Sequence, residues 1–292
     1  TISSVGQEPI DPLILVGTAL LLIGLGFKVA AVPFHFWAPD VYQGSMAPVA
    51  GFMAAGTKAA AFAALVRVLS VGLGDVAIRE HWIAVLSVLA ILTMILGNVV
   101  ALAQQNIKRM LAYSSIANAG YLLVAVAASG RTGEGASVVL FYLAIYAFMT
   151  IGAFAVVALL SRSGDAGQGT SITDYAGLSK RRPAVAAAMA LFMLSLTGIP
   201  PTGGFMGKFY IFKSAFDAGM YGLAIVGVLA SVVGAFFYLR VVVQMYVRDP
   251  GADPVPIILT PVETLGIAIA CAGTLWIGLF PTGLLDLAAG RL

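Results

Sequence analysis

Long apolar segments follow one another along the whole chain and leave it few ways to fold. Windows of about 19 residues identify eight of them, at residues 12–37, 48–70, 82–104, 109–129, 136–160, 184–217, 219–247 and 257–281. Because lipid offers the backbone no hydrogen-bond partner, segments of this length cross a membrane as helices. The sequence therefore predicts an all-α polytopic membrane protein with about eight transmembrane helices, in a single domain over residues 1–292.

The composition excludes several other classes of protein. Hydrophobic residues make up 60% of the chain, charged residues 10%, and the mean hydropathy is +0.99. The net charge of +3 comes mostly from loop residues, and no basic stripe predicts a nucleic-acid partner. Cys271 is the only cysteine, which excludes an internal disulfide and any cysteine-ligated iron–sulfur cluster or structural zinc site. Redox centres are therefore expected in other polypeptides.

Positive charges are unequally divided between the two sides of the predicted membrane. One side holds Lys108, Arg109, Arg162, Lys180, Arg181, Arg182 and Arg248, and the other holds Arg79, Arg131 and Arg291. The positive-inside rule makes the first side cytoplasmic, which puts the C-terminus outside. The longest polar stretch, residues 162–183, is then a cytoplasmic loop.

Two of the predicted helices, the first and the sixth, contain residues that interrupt a helix. Prolines remove backbone donors and glycines relax the backbone. The breaks are predicted at Gly24, Gly26 and Pro33 in the first helix, and at Pro200, Pro201, Gly203 and Gly204 in the sixth. Five spans separate the two helices, so they cross in opposite directions. Matching broken helices at this spacing are typical of an inverted repeat with an ion path near the midplane.

Lys28 and Lys208 each follow one of these glycine-rich sequences, deep in an apolar segment. Desolvation and the positive end of a half-helix dipole both disfavour an ammonium there, so each lysine is expected to exchange a proton at moderate cost. The alternative is a lysine whose head group reaches the membrane interface.

Lys58 lies in the middle of the second predicted span. It is expected to couple to Lys28 by charge repulsion, or else to pair with a carboxylate of another chain. His35 is predicted to relay protons between Lys28 and cytoplasmic water, the alternative being a histidine that is simply hydrogen-bonded. The absence of a mid-span carboxylate means that this chain supplies no acidic partner for Lys28.

A polar stripe on the fourth predicted helix is formed by Ser114, Asn118 and Tyr121. Such a stripe is either the wall of a hydrated path or, more commonly, a set of interhelical hydrogen bonds.

Three motifs carry a resemblance to a known family. The sequences GFKVAAVPFHFWAPDVYQG at 26–44, NIKRMLAYSSI at 106–116 and LTGIPPTGGFMGK at 196–208 resemble the proton-antiporter-type membrane subunits of respiratory complex I, in the form called subunit N. The resemblance covers nearly the whole chain. It implies a fourteen-helix, inverted-repeat antiporter-like fold, of which this chain is the C-terminal portion, without the helices that carry a glutamate partner for the first lysine.

The resemblance also implies a function. Lys28 and Lys208 match the family's broken-helix lysines, Lys58 its connecting lysine and His35 a histidine of the same motif. The expected function is proton transfer in a bacterial inner-membrane NADH:quinone oxidoreductase. NADH, FMN, iron–sulfur clusters and quinone would be bound by partner subunits, and other membrane-arm subunits and lipid would surround the chain. A sodium/proton antiporter or membrane-hydrogenase subunit, and a structural scaffold that does not pump, are the alternatives.

Overall fold

The computed structural model describes residues 11–74, 76–133, 135–162, 169–250 and 257–290, most of which are helical. Within these ranges there is no strand, only an isolated bridge between Asn106 and Ser171. The helices are α1 (Pro12–Val29), α2 (Trp37–Gly44), α3 (Ala47–Phe52), α4 (Lys58–Arg67), α5 (Val76–Leu102), α6 (Ile107–Thr132), α7 (Gly135–Arg162), α8 (Leu178–Arg181), α9 (Pro183–Thr197), α10 (Gly203–Asp217), α11 (Tyr221–Tyr246), α12 (Pro261–Leu279) and α13 (Pro281–Ala288).

The prediction of an all-α multi-pass membrane protein is confirmed. Seven helices of the described part are long and apolar enough to cross a membrane, and one of them is the continuous span Ala47–Gly72. That span contains α3, α4 and two π-helical segments, Met53–Thr57 and Val68–Gly72. The shorter helices α9 and α10 follow one another in the region of the sixth predicted segment, 184–217. Together they account for the one predicted span that is not among these seven.

Helix α6 forms the centre of the bundle and is buried along almost its whole length. Its closest neighbour is α5, and small residues make this approach possible. A Cβ atom on Gly97 would lie 2.6 Å from the backbone nitrogen of Ala117, and one on Gly120 would lie 2.8 Å from that of Met94. Helices α2, α7, α10 and α11 pack around the same centre, so polar side chains on α6 face protein and not lipid.

The first helix is interrupted later than predicted. Gly24 and Gly26 both lie inside α1, which continues to Val29, so their assignment as breaks is wrong. Glycine stays helical here because the membrane offers no alternative partner for its backbone groups. The chain leaves the helix at Ala30, which has a φ of 59°, and passes Pro33 before α2 begins. Of the residues predicted to break this helix, only Pro33 lies in the interruption.

The second interruption lies between α9 and α10. Pro200 and Pro201 fall within it, as predicted, whereas Gly203 and Gly204 are the first two residues of α10. A Cβ atom on Gly204 would lie 1.8 Å from the carbonyl oxygen of Ser195. Glycine therefore does not break the helix at this position but lets the start of α10 approach the end of α9.

The predicted loop at 162–183 has local structure where it is described. Its residues 163–168 lie outside the described part, and the remainder contains a 3₁₀ turn at Ile172–Tyr175 followed by α8. The backbone nitrogen of Gly177 donates to the carbonyl oxygen of Gln244, 3.2 Å away. The connection is thereby held against the end of α11.

Candidate functional site

Lys58 is buried, with 3% of its surface exposed. It directly follows the π-helical segment Met53–Thr57. Its amine donates to two acceptors of one residue on α6, the carbonyl oxygen of Ser115 and, 2.6 Å away, the Oγ of Ser115. The ammonium also lies 5.5 Å from the centre of the Tyr146 ring, a distance at which a cation and a ring face attract. No carboxylate contacts it in the described part of the chain.

Lys208 is buried to a similar degree, with 5% of its surface exposed. Its Nζ donates to the carbonyl oxygens of Leu196 and Thr197, 2.9 and 3.0 Å away, and to Ser231 Oγ, 2.8 Å away. It lies 4.9 Å from the centre of the Tyr121 ring. All three N–H groups of the ammonium therefore have an acceptor, although none of the acceptors is charged.

The C-terminal end of α9 contacts the Lys208 ammonium, which the sequence did not predict. The lysine belongs to the second turn of α10, but its amine bonds the last carbonyl groups of α9. The C-terminal end of a helix carries partial negative charge, which favours a cation. Besides the desolvation and the α10 dipole that the sequence predicted, the end of α9 therefore acts on this ammonium in the favourable direction, because the side chain reaches back across the interruption.

The predicted polar stripe on α6 is part of a buried hydrogen-bond network. Ser114 Oγ bonds the hydroxyl of Tyr238 on α11. Asn118 Nδ2 donates to the carbonyl oxygen of Ser114 at 2.9 Å, and its Oδ1 accepts from the hydroxyl of Tyr142 at 2.5 Å. The stripe therefore forms interhelical hydrogen bonds, one of the two alternatives that the sequence left open. It lies next to Ser115, the residue that bonds Lys58.

The third residue of the stripe, Tyr121, contacts Lys208 and a second hydrogen-bonding residue, Asn98. Its hydroxyl accepts from Asn98 Nδ2 at 3.1 Å, while its ring faces the lysine. Asn98 and Tyr238 both lie next to Gly234. A Cβ atom on Gly234 would lie 2.7 Å from Asn98 Oδ1 and 3.8 Å from Tyr238 Cε2. Two groups of buried hydrogen bonds thus lie on α6 between Lys58 and Lys208, on either side of Gly234.

Lys28 and His35 are not brought together with these groups. Lys28 is in the last turn of α1 and is exposed on the surface of the chain, so its predicted burial is wrong for the chain as described. It has no hydrogen bond or ion pair with the described residues. His35 lies in the interruption and is 7% exposed. Its Nδ1 is buried without a hydrogen-bond partner among the residues described, and its ring stacks on Phe36 at 4.8 Å.

Several residues of the site were not predicted from the sequence. Ser115, Ser231, Tyr142, Tyr238 and Asn98 are all polar residues within apolar spans. That property alone could have identified them as candidates, because polar groups inside a membrane protein face protein or water. Their partners depend on how the helices are rotated, and the sequence does not show this.

A cavity of about 800 Å³ lies beside Lys208. It lies between α10 and α11 and opens at the surface, and its lining includes Thr197, Lys208 and Ser231 together with phenylalanine side chains such as Phe209. No group of three or more potential metal ligands occurs in the described ranges. The buried ionisable groups of this site are the amines of Lys58 and Lys208, which can bind and release protons.

Comparison with known proteins identifies relatives for most of the chain. The sequence model of a transmembrane family described as "NADH:quinone oxidoreductase/Mrp antiporter, TM" matches residues 3–234. A protein named NADH-quinone oxidoreductase subunit N 3 from Streptomyces griseus is 51% identical over 280 residues, which cover 96% of this chain and 50% of that protein. NADH-quinone oxidoreductase subunit N from Chloroflexus aggregans is 49% identical, over 92% of this chain and 54% of that protein. The chain thus spans about half the length of these curated relatives.

Solved structures show the same fold. A chain of respiratory complex I from Thermus thermophilus, with bound aureothin, superposes with a TM-score of 0.82 at 38% identity, over 97% of this chain and 61% of that chain. A chain of the Mrp complex from Dietzia superposes with a TM-score of 0.84 at 23% identity, over 97% and 59% of the two chains. The second likeness is one of fold alone.

Proposed function

This chain belongs to the transmembrane family described as NADH:quinone oxidoreductase/Mrp antiporter, and we propose on that basis that it acts as a proton-translocating membrane-arm subunit of NADH:quinone oxidoreductase. The relatives named subunit N favour this function over sodium/proton exchange. The electron-transfer cofactors NADH, FMN, iron–sulfur clusters and quinone belong, in this proposal, to other subunits. The complex lies in the bacterial inner membrane, with the C-terminus of this chain outside.

One observation carries the proposal: two buried lysines, each without a charged partner among the described residues, contact the central helix α6, which carries buried polar residues between the two contacts. Lys58 is held by Ser115 and Lys208 by the end of α9 and Ser231. An ammonium that lacks a counter-ion is sensitive to charges that appear nearby. A charge change in a neighbouring subunit can therefore move protons onto and off these amines.

Lys28 and His35 have their own place in the proposal. The exposed face of α1 that carries Lys28 also presents large apolar side chains such as Leu21 and Ile14. We assign this face to contact with protein outside the present chain, which supplies the carboxylate partner of Lys28. The unpaired Nδ1 of His35 then takes part in proton exchange between Lys28 and the cytoplasmic side.

Substitution of the lysines tests the proposal in the assembled complex. Lys28→Ala and Lys58→Ala are each expected to reduce the number of protons pumped per NADH oxidised, while the complex still assembles. Pumping is measured by quenching of a pH-sensitive dye in inverted membrane vesicles, and assembly by the amount of complex in the membrane. Full pumping in both variants would count against proton transfer, and loss of assembly with unchanged coupling would favour a structural scaffold. Transport that requires sodium and not NADH would favour an antiporter.

A further inference from the structure

Each buried lysine has one hydroxyl group among its hydrogen-bond partners. Lys58 Nζ lies 2.6 Å from Ser115 Oγ, and Lys208 Nζ lies 2.8 Å from Ser231 Oγ. Every other acceptor of the two amines is a backbone carbonyl oxygen, at Ser115, Leu196 and Thr197. A carbonyl oxygen can only accept a hydrogen bond, whereas a hydroxyl can accept or donate one. The serines therefore differ in kind from the other partners.

This difference matters when a lysine loses its proton. The ammonium of Lys208 has three N–H groups, and each of them donates to one acceptor. The neutral amine keeps two N–H groups, which the carbonyl oxygens of Leu196 and Thr197 still accept, but it gains a lone pair. A lone pair facing a third acceptor would be left without a donor, and a buried group in that condition is costly. Of its three partners, only Ser231 can turn a hydrogen atom toward the nitrogen.

We propose that Ser231 is a positioning residue that allows Lys208 to exist in both charge states. The inference deepens the proposed function and rests on it. Ser231 accepts from the ammonium and, after deprotonation, rotates its own O–H to donate to the amine. One N–H bond of Lys208 breaks, and the proton passes to water in the adjoining cavity of about 800 Å³. Ser231 keeps its own proton throughout.

The surroundings of Ser231 suit this role. Its side chain is partly buried and lines the same cavity as Lys208 and Thr197. These polar groups, with Lys213 and Asp217 on the same lining, give water the partners that it needs in a cavity whose other lining residues are apolar. Ser231 Oγ also lies 3.4 Å from the carbonyl oxygen of Thr197, so its hydrogen atom has an acceptor while the lysine is charged. Rotation about the side chain exchanges this weak bond for one to the neutral amine.

Two substitutions of almost the same shape isolate the hydroxyl group. Ser231→Thr keeps the hydroxyl and adds a methyl group, for which the cavity has room, and Ser231→Val replaces that hydroxyl by a second methyl group. In the assembled complex we expect Ser231→Val to lower proton pumping per NADH oxidised by about tenfold, and Ser231→Thr to stay within about twofold of the native protein. Ser231→Ala, which adds no bulk, is expected to behave like Ser231→Val.

Ser214 provides a control on α10 itself. Its hydroxyl bonds the carbonyl oxygen of Ile211 in the same helix at 2.8 Å and has no bond to a lysine. Ser214→Ala is therefore expected to pump like the native protein. Loss of pumping in this control to the same extent as in Ser231→Ala would overturn the inference, because removal of any buried hydroxyl would then have the same effect.

Some results would refute the role of Ser231 alone, and others would also refute the proposed function. Equal pumping by the valine and threonine variants, or native pumping by Ser231→Ala, overturns the role of Ser231. If Lys208→Ala abolishes pumping in the same experiment, the proposed function stands without it. If Lys208→Ala pumps normally, the proposed function fails for this lysine and the role of Ser231 fails with it. Should the valine variant not assemble, the comparison of alanine with threonine decides.

Discussion

Replacement of Lys208 by methionine separates a transport role from a structural one. Methionine has a similar length and fills irregular space in an apolar interior, but it carries no charge and donates no hydrogen bond. The carbonyl oxygens of Leu196 and Thr197 would lose the donor that they share. Each buried group left unsatisfied costs about 1–3 kcal/mol, and the Thr197 oxygen keeps only the 3.4 Å bond from Ser231 Oγ, so the total cost is about 1–6 kcal/mol.

A second effect has the opposite sign. A lysine at the centre of a membrane helix costs about 2.5–3.5 kcal/mol on insertion scales, and Lys208→Met removes that cost. The two contributions largely offset, so we expect a loss of stability of no more than about 3.5 kcal/mol. Pumping should nevertheless be lost, because no side chain of this variant binds a proton at that position. Stability and transport are therefore expected to respond very differently.

Both quantities can be measured on one preparation. Thermal unfolding of the purified complex reports stability, and the ratio of pumped protons to oxidised NADH reports transport. Lys180→Met serves as the control, since Lys180 is an exposed lysine whose partner Asp249 lies 2.6 Å away outside the membrane spans. It should change neither quantity. A Lys208→Met complex that pumps at the native ratio, or one that does not assemble at all, would refute the reasoning.

Two further predictions concern the network and the packing around it. Tyr238→Phe removes the hydroxyl that bonds Ser114, and we expect pumping to fall about two- to tenfold while the complex assembles normally; native pumping would show that protons do not use this hydroxyl. Gly120→Ala would place a methyl group 2.8 Å from the backbone nitrogen of Met94, so we expect a destabilisation of about 1–3 kcal/mol in thermal unfolding. Its control, Gly24→Ala, meets nothing within 4 Å in a continuous helix and should leave the stability of the complex close to that of the native protein. Destabilisation of the control would support a break at Gly24.

The sequence predicted the features that depend on hydropathy and chain chemistry. These include the spans, the interruption at Pro200 and the burial of Lys58 and Lys208. An apolar segment with one charged residue can adopt few arrangements in a membrane, because it must be helical and must turn the charge toward protein or water. It failed at Gly24, where glycine propensity measured in water has little weight in lipid. It also failed at Lys28, since hydropathy predicts the depth of a residue but not the direction it faces around its helix.

The residues that hold the lysines could not be predicted for a related reason. Ser231 is one of several serines in apolar spans, and nothing in its sequence neighbourhood distinguishes it from Ser214. What distinguishes it is that α11 turns this side chain toward the end of α9, where Lys208 reaches back across the interruption. The contact joins three helices, and its formation depends on the packing of the whole bundle.

The spacing of the two sites along α6 indicates how strongly the lysines can act on one another. Lys58 bonds Ser115, and Lys208 faces the ring of Tyr121, six residues further along the same helix. Six residues correspond to about 9 Å of helix. The two amines lie off the helix axis, so about 9 Å is a lower limit for their separation. At an effective dielectric constant of about 20, two unit charges then repel by at most about 2 kcal/mol, a change in proton affinity at most on the order of tenfold. In the proposed function, a proton that binds Lys58 therefore promotes release from Lys208 without any movement of the helices.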